Sequence, residues 1–269
     1  MRTRLQGMTG RPPAVAGQFY PGDPDRLRTQ VLELLANVAA SQNVTPKALI
    51  APHAGYAYSG RVAAAAFATL RDSAHAISRV VLIGPAHYVA VRGIAAPTVD
   101  AFDTPIGRVP MDVEALSKIA DQQFVVRADA PHAPEHALEV ELPFLQTVLG
   151  SFQVMPLLVG DTTPQDVAHV LRQLWGGAET LIVVSSDLSH YHSYETARRL
   201  DLVTAAAIEA GDWASLGPTQ ACGCLAVAGL LLEAGRRDIK ARRLLLCNSG
   251  DTAGSRDQVV GYGAWTFAH

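Results

Sequence analysis

Cysteine is scarce in this chain: three among 269 residues, an odd number that makes no disulfide framework and suits a reducing compartment. Charge is sparse as well. Only 17% of residues are charged, with 22 Lys and Arg against 25 Asp and Glu for a net charge of −3, which offers neither nucleic acid nor an anionic membrane a basic surface. The one local basic cluster, "GRRDIKARR" at 235–243, reads as a solvated helix end and turn. No apolar stretch approaches the ~18 residues a membrane span needs, and no apolar h-region follows the first arginines. A soluble, cytoplasmic protein is expected.

Several catalytic signatures are also missing. No G-x-x-x-x-G-K-[ST] or G-x-G-x-x-G follows a strand, so nucleotide binding is unsupported. There is no G-x-S-x-G elbow and no H-E-x-x-H. "SSDLSH" sets serine beside Asp and His, but catalytic triads draw their members from separate segments. Neither a low-complexity linker, nor a composition break, nor a repeat of about 20 to 50 residues appears. One domain over 1–269 follows, with a flexible start over 1–13.

What the chain does have is 49% hydrophobic residues, arranged as short apolar runs alternating with helix-period segments. The strand candidates are 47–52, 79–85, 152–160, 180–186, 242–248 and 259–267. These runs are continuous rather than alternating, as in strands covered on both faces. Helices are expected over 23–39, 59–70 from a Ser59 cap, 110–121, 135–149, 163–175 from a Thr163-x-x-Asp166 box, 193–211 and 219–235. The pattern predicts an α/β domain with a mostly parallel or mixed central sheet and helices on both faces. The last strand follows its predecessor without a helix, so at least one antiparallel strand is expected.

Ligands of open α/β sheets bind beyond the carboxyl ends of strands. "APHAGYAYSG" runs from a strand end onto His53, "RVVLIGPAHY" onto His87, and "TLIVVSSDLSHYH" onto Asp187 and His190. One such histidine is an ordinary turn residue; three after separate strands indicate a shared polar site suited to a metal or to acid–base chemistry. Cys222 opens an apolar helix, where the dipole favours a thiolate. Cys224 and Cys247 read as core. On the helix expected over 135–149, His136 and Glu139 share a face and could orient metal ligands. Tyr56 and Tyr58 are placed at the mouth, with plain packing as the alternative.

Six segments, "AGQFYPGDP", "APHAGYAYSG", "GPAHY", "EHALEVELPFL", "SSDLSHY" and "CGCLAVAGLLL", resemble in order and spacing the Memo-like family, named for a mediator of cell motility. Its bacterial and archaeal members are called AmmeMemoRadiSam system protein B. The resemblance runs from about residue 14 to the C-terminus. It implies a fold like the class III extradiol ring-cleavage dioxygenases, whose non-heme iron sits on two histidines and a carboxylate. On this chain it implies His53 and His87 as metal ligands, Cys222 in place of the carboxylate, His190 as acid–base and Asp187 beside it. Glu141 stands where some members have His or Gln, which alters the charge of the cleft.

A thiolate in place of the carboxylate softens the site, so copper or zinc competes with iron(II). The leading expectation is an iron- or copper-dependent oxidoreductase. The alternatives are a non-catalytic protein that binds a peptide or small anion in the same cleft, and a zinc-dependent hydrolase. A small-molecule or peptide ligand is expected, and the family name implies a functional link to a radical SAM enzyme.

Overall fold

The computed structural model describes residues 9–38 and 45–268. Nineteen regular elements succeed one another in it: β1 (Gly10–Arg11), α1 (Pro24–Ala36), β2 (Ala48–Ala51), α2 (Tyr56–Phe67), β3 (Arg79–Pro85), β4 (Ile94–Ala96), β5 (Ala101–Thr104), β6 (Gly107–Pro110), α3 (Val113–Ile119), β7 (Val125–Arg127), α4 (Leu142–Leu149), β8 (Gln153–Val159), α5 (Pro164–Leu174), β9 (Thr180–Ser185), β10 (His190–His192), α6 (Tyr194–Ala210), α7 (Cys224–Gly235), β11 (Lys240–Asn248) and β12 (Val259–Ala268).

The main sheet has nine strands in the order β10-β12-β2-β9-β3-β8-β4-β7, with β11 beside β12. Its centre, β2-β9-β3-β8, is parallel. The flank is antiparallel: β12 runs against β2, β11 and β10, and β4 against β8. A small separate sheet joins β1, β5 and β6. The mixed sheet of an α/β domain is therefore present, antiparallel last strand included.

Each central strand feeds two cores, because successive side chains point to opposite faces. Leu49 and Ala51 of β2 pack with α1, α2 and α4, whereas Ala48 and Ile50 pack with α3, α5, α6 and α7. Helices thus cover both faces, which explains the unbroken apolar runs. On one face the Phe67 and Phe144 rings stack at 5.2 Å and 10°, joining α2 to α4 with about 0.5–1.5 kcal/mol beyond the area they bury.

The connections place the site. The chain passes from β2 through α2 to β3 and leaves a gap between them, which β9 fills after returning through α5 on the other face. Crossovers to opposite faces open a crevice at the carboxyl ends of β2, β9 and β3.

Element ends differ from expectation where side chains intervene. Gly55 caps α2, and Ser59 lies inside it, its Oγ donating back to the Ala54 carbonyl at 2.8 Å. The Thr163–Asp166 capping box forms as expected. The helix expected from 135 begins only at Leu142, after a 3-10 turn at Glu139–Glu141, because the Glu135 carboxylate takes the amide protons of His136 and Ala137. Of the start expected to be flexible, residues 1–8 lie outside the described residues. Gly10–Arg11 pairs with β5, and Arg11 is buried.

Candidate metal centre

Three imidazoles meet at the crevice. His53 follows β2, His87 follows β3, and His136 comes from the turn before α4. Their ring centroids form a triangle with sides of 5.2, 5.4 and 5.0 Å. One nitrogen from each lies within 4.8 Å of the other two, close enough for all three to reach one metal ion.

Partners behind the rings decide which nitrogen faces inward. His87 Nδ1 lies 2.9 Å from Glu135 Oε1, and the His87 backbone N–H donates to Glu135 Oε2 at 2.6 Å. Burial pulls the Glu135 pKa up, but the donors at His87 and Ala137 more than reverse that and hold it at about 2. An ionised carboxylate only accepts, so His87 carries its proton on Nδ1 and leaves Nε2 free. This is the carboxylate–histidine pairing that orients metal ligands. His53 Nδ1 rests 2.7 Å from Ser185 Oγ. Burial, aided by the nearby His87, lowers the His53 pKa to about 3, and burial lowers that of His136 to about 4. Neutral imidazoles with free lone pairs fit a metal ion; iron, copper and zinc all accept them.

Cys222 adjoins this triad. Its Sγ is 3.3 Å from His53 Nε2 and accepts the Asp187 backbone N–H at 3.3 Å. Gly223 permits the approach: a Cβ there would come within 2.8 Å of the Ser186 side chain. The helix α7 starts two residues later, and its dipole does not set the thiol's ionisation. Burial pushes the pKa up to about 12, and Asp187 adds to this, so in the protein alone Cys222 is a thiol rather than the expected thiolate.

Asp187 is buried and its Oδ1 accepts the His53 backbone N–H at 2.8 Å, while Oδ2 lies 3.9 Å from His53 Nε2. Burial raises its pKa. His190 lines the same cleft, and its ring is steered by the Leu188 carbonyl, 2.8 Å from Nδ1, rather than by Asp187.

The cleft above the triad has a volume of about 1020 Å³. Tyr58, Tyr88 and Tyr191 stand at its rim, 42%, 57% and 71% exposed. Tyr191 holds a positive φ of 60°, the sort of backbone strain that collects at functional sites. Among the described residues, no lysine or arginine lines the cleft.

The geometry agrees with sequence kinship. A family model described as Memo-like protein matches residues 11–266. The chain belongs to the Memo-like family. A MEMO1 family protein of Aquifex aeolicus is 34% identical over 266 residues, covering 95% of this chain and 98% of its own. One from Thermotoga neapolitana is 35% identical with 94% and 97% covered, and one from Methanopyrus kandleri 34% with 96% and 98%. Among solved structures, an Escherichia coli K12 protein, JW3007, overlaps with a TM-score of 0.48 at 13% identity, over 81% of this chain and 98% of its own.

Of the residues that the sequence and this family suggested, His53, His87, Cys222, Asp187, His190 and Tyr58 all reach the cleft. Two do not. Tyr56 is buried under the site, its hydroxyl donating to the Val140 carbonyl at 2.7 Å, which is the packing alternative. Glu139 points away, fully buried. It pairs with Arg11 and accepts from Tyr20 Oη and the amides of Ala14 and Val15, so it anchors the N-terminal segment. His136, expected to support the ligands, joins the triad itself. Glu135 takes the supporting role, which helix spacing in this segment does not signal. Glu141, expected to charge the cleft, is fully buried outside its lining.

Proposed function

We propose that this Memo-like protein is a metal-dependent oxidoreductase of dioxygenase-like type, using iron(II) or copper held by His53, His87 and His136 with Cys222 alongside. The observation that carries the reading is the convergence of three imidazoles, two of them oriented from behind by Glu135 and Ser185. A redox metal bound there supplies the one-electron chemistry that protein side chains lack. The remaining parts belong to the chain. His190 donates its Nδ1 proton to the Leu188 carbonyl, which leaves Nε2 as the base that takes a proton from a substrate in the cleft. The aromatic rim, with Tyr88 against His136 at a centroid separation of 5.7 Å, holds the ligand and excludes water.

Small-anion recognition is the weaker reading, because phosphate and carboxylate ligands call for Arg or Lys and none of the described residues lining this cleft is either. Zinc-dependent hydrolysis keeps one specific support: three histidines with an open position are also a catalytic zinc set.

Anaerobic purification followed by metal analysis and titration with iron(II), copper(I) and zinc separates these readings. One equivalent of a redox metal, lost in His87→Ala, supports the oxidoreductase. Tight zinc alone with no redox turnover favours the hydrolase. Absence of stoichiometric metal overturns both.

A further inference from the structure

Beneath the site, Ser185 Oγ sits among three groups: the Ala137 carbonyl oxygen at 2.6 Å, His53 Nδ1 at 2.7 Å and Glu141 Oε1 at 3.1 Å. A hydroxyl has one hydrogen and two lone pairs. The Ala137 carbonyl can only accept, so at 2.6 Å the Ser185 hydrogen belongs to it. The serine oxygen must then accept from the other two groups. His53 has to donate through Nδ1–H, and Glu141 through a carboxylic O–H.

We infer that Ser185 is a positioning residue that holds His53 in its Nδ1–H tautomer, and that Glu141 backs it as a buried neutral acid. The Nε2 lone pair of His53 is thereby directed at the cleft, where Cys222 Sγ lies 3.3 Å away. Independent observations agree on Glu141. It is fully buried, and its Oε2 has no partner among the described residues. An unpartnered buried oxygen suits the carbonyl of an uncharged acid; half of a carboxylate charge there would be far costlier. Burial also drives the Glu141 pKa well above the ordinary value. Were Glu141 ionised, the Ser185 hydrogen would be contested between it and Ala137, yet His53 Nδ1 would still face an oxygen with no hydrogen to give. The tautomer therefore rests on the serine, and the neutral acid keeps the serine's hydrogen in one place.

For a metal site the consequence is specific. His53 offers Nε2 without first moving a proton, and its Nδ1 is closed to acid–base work, which leaves that role to His190. The consequence for metal affinity rests on the metal-site reading above. The tautomer does not, because it is read without metal.

The test is nitrogen-15 NMR of histidine-labelled, chelator-treated protein. The expected spectrum of the wild-type chain gives His53 a protonated Nδ1 and an unprotonated Nε2. Ser185→Ala should mix the tautomers and lower metal affinity about tenfold to a hundredfold, the usual cost of losing a partner behind a ligating histidine. Ser185→Thr, which keeps the hydroxyl, should restore both. Infrared spectra at neutral pH should show a carboxylic-acid carbonyl band that disappears in Glu141→Gln. A wild-type His53 protonated on Nε2 overturns the inference, even if Ser185→Ala fails to fold. So does an unchanged tautomer in Ser185→Ala, or the absence of the acid band for Glu141. A fixed Nδ1–H tautomer in a protein that takes up no metal would leave the inference standing and sink the metal reading alone.

Discussion

Glu135 grips His87 at two points, with Oε2 on its backbone amide at 2.6 Å and Oε1 on its ring Nδ1 at 2.9 Å, while Oε1 also accepts the amides of His136 and Ala137 at 3.0 Å each. One carboxylate thus fixes two of the three imidazoles. Glu135→Gln replaces an acceptor-only group with one that carries an N–H₂ facing donors. Metal affinity should fall about tenfold to a hundredfold, and stability by about 1–3 kcal/mol from buried donors left unpaired. Calorimetric metal titration and urea melts check the two effects; unchanged affinity would remove Glu135 from the ligand support.

The pair formed by Arg11 and Glu139 makes the opposite prediction. Both side chains are buried, and Glu139 also receives Tyr20 Oη and two backbone amides. Removing one partner leaves an uncompensated buried charge, so Arg11→Ala should cost about 3–5 kcal/mol of stability. Metal affinity of the folded fraction should stay within a factor of about two, because neither residue reaches the cleft. A selective loss of metal with stability intact would return Glu139 to the site.

Much of this was legible in the sequence, for physical reasons. The central strands are covered on both faces, so β3 carries no charged or polar side chain after Arg79 and its bounds were readable to the residue. A strand carboxyl end is also where an α/β site must lie, which is why His53, His87, Asp187 and His190 were found. The strands β1, β4, β5, β6, β7 and β10 are two to four residues long, too short to show a period. The segment around His136 misled for a different reason. Its spacing fits a helix face, but the Glu135 carboxylate claims the amides that a helix would need. Spacing carries no information about which carboxylate turns inward, and so Glu139 was placed in the supporting role that Glu135 fills.

The buried histidines imply a pH dependence of stability in the metal-free protein. Burial lowers the pKa of His53 to about 3, and of His132 and His136 to about 4, against about 6.5 when unfolded. Between 6.5 and about 4 the unfolded chain therefore binds protons that the folded chain refuses. Stability from these groups is complete above the unfolded value and is lost as pH falls through this window. His132 is the cleanest reporter, since it is remote from the cleft and its Nε2 donates to the Ala95 carbonyl at 3.1 Å. Urea melts across this pH range should show His132→Gln lowering by about one the number of protons taken up on unfolding, while the acids kept protonated in the fold, Glu141 and Asp187, offset part of the histidine uptake in both chains alike. An unchanged pH slope in His132→Gln would mean that this imidazole is protonated within the fold.

His136 and Cys222 compete for the third position beside His53 and His87, and the geometry favours the histidine. His136 shares the 4.8 Å convergence with both partners, whereas Cys222 contacts His53 at 3.3 Å and must shed a proton that burial holds up to about 12. His136→Ala should therefore abolish stoichiometric binding at neutral pH. Cys222→Ser should weaken copper(I) most, zinc next and iron(II) least, since sulfur favours the softer ions. Thiol alkylation gives a second readout: a protonated, half-buried Cys222 should react with iodoacetamide far more slowly than a free cysteine in the metal-free chain. If Cys222→Ser removes all metal while His136→Ala keeps it, the sulfur is the third ligand, and its proton is displaced by the metal rather than lost beforehand.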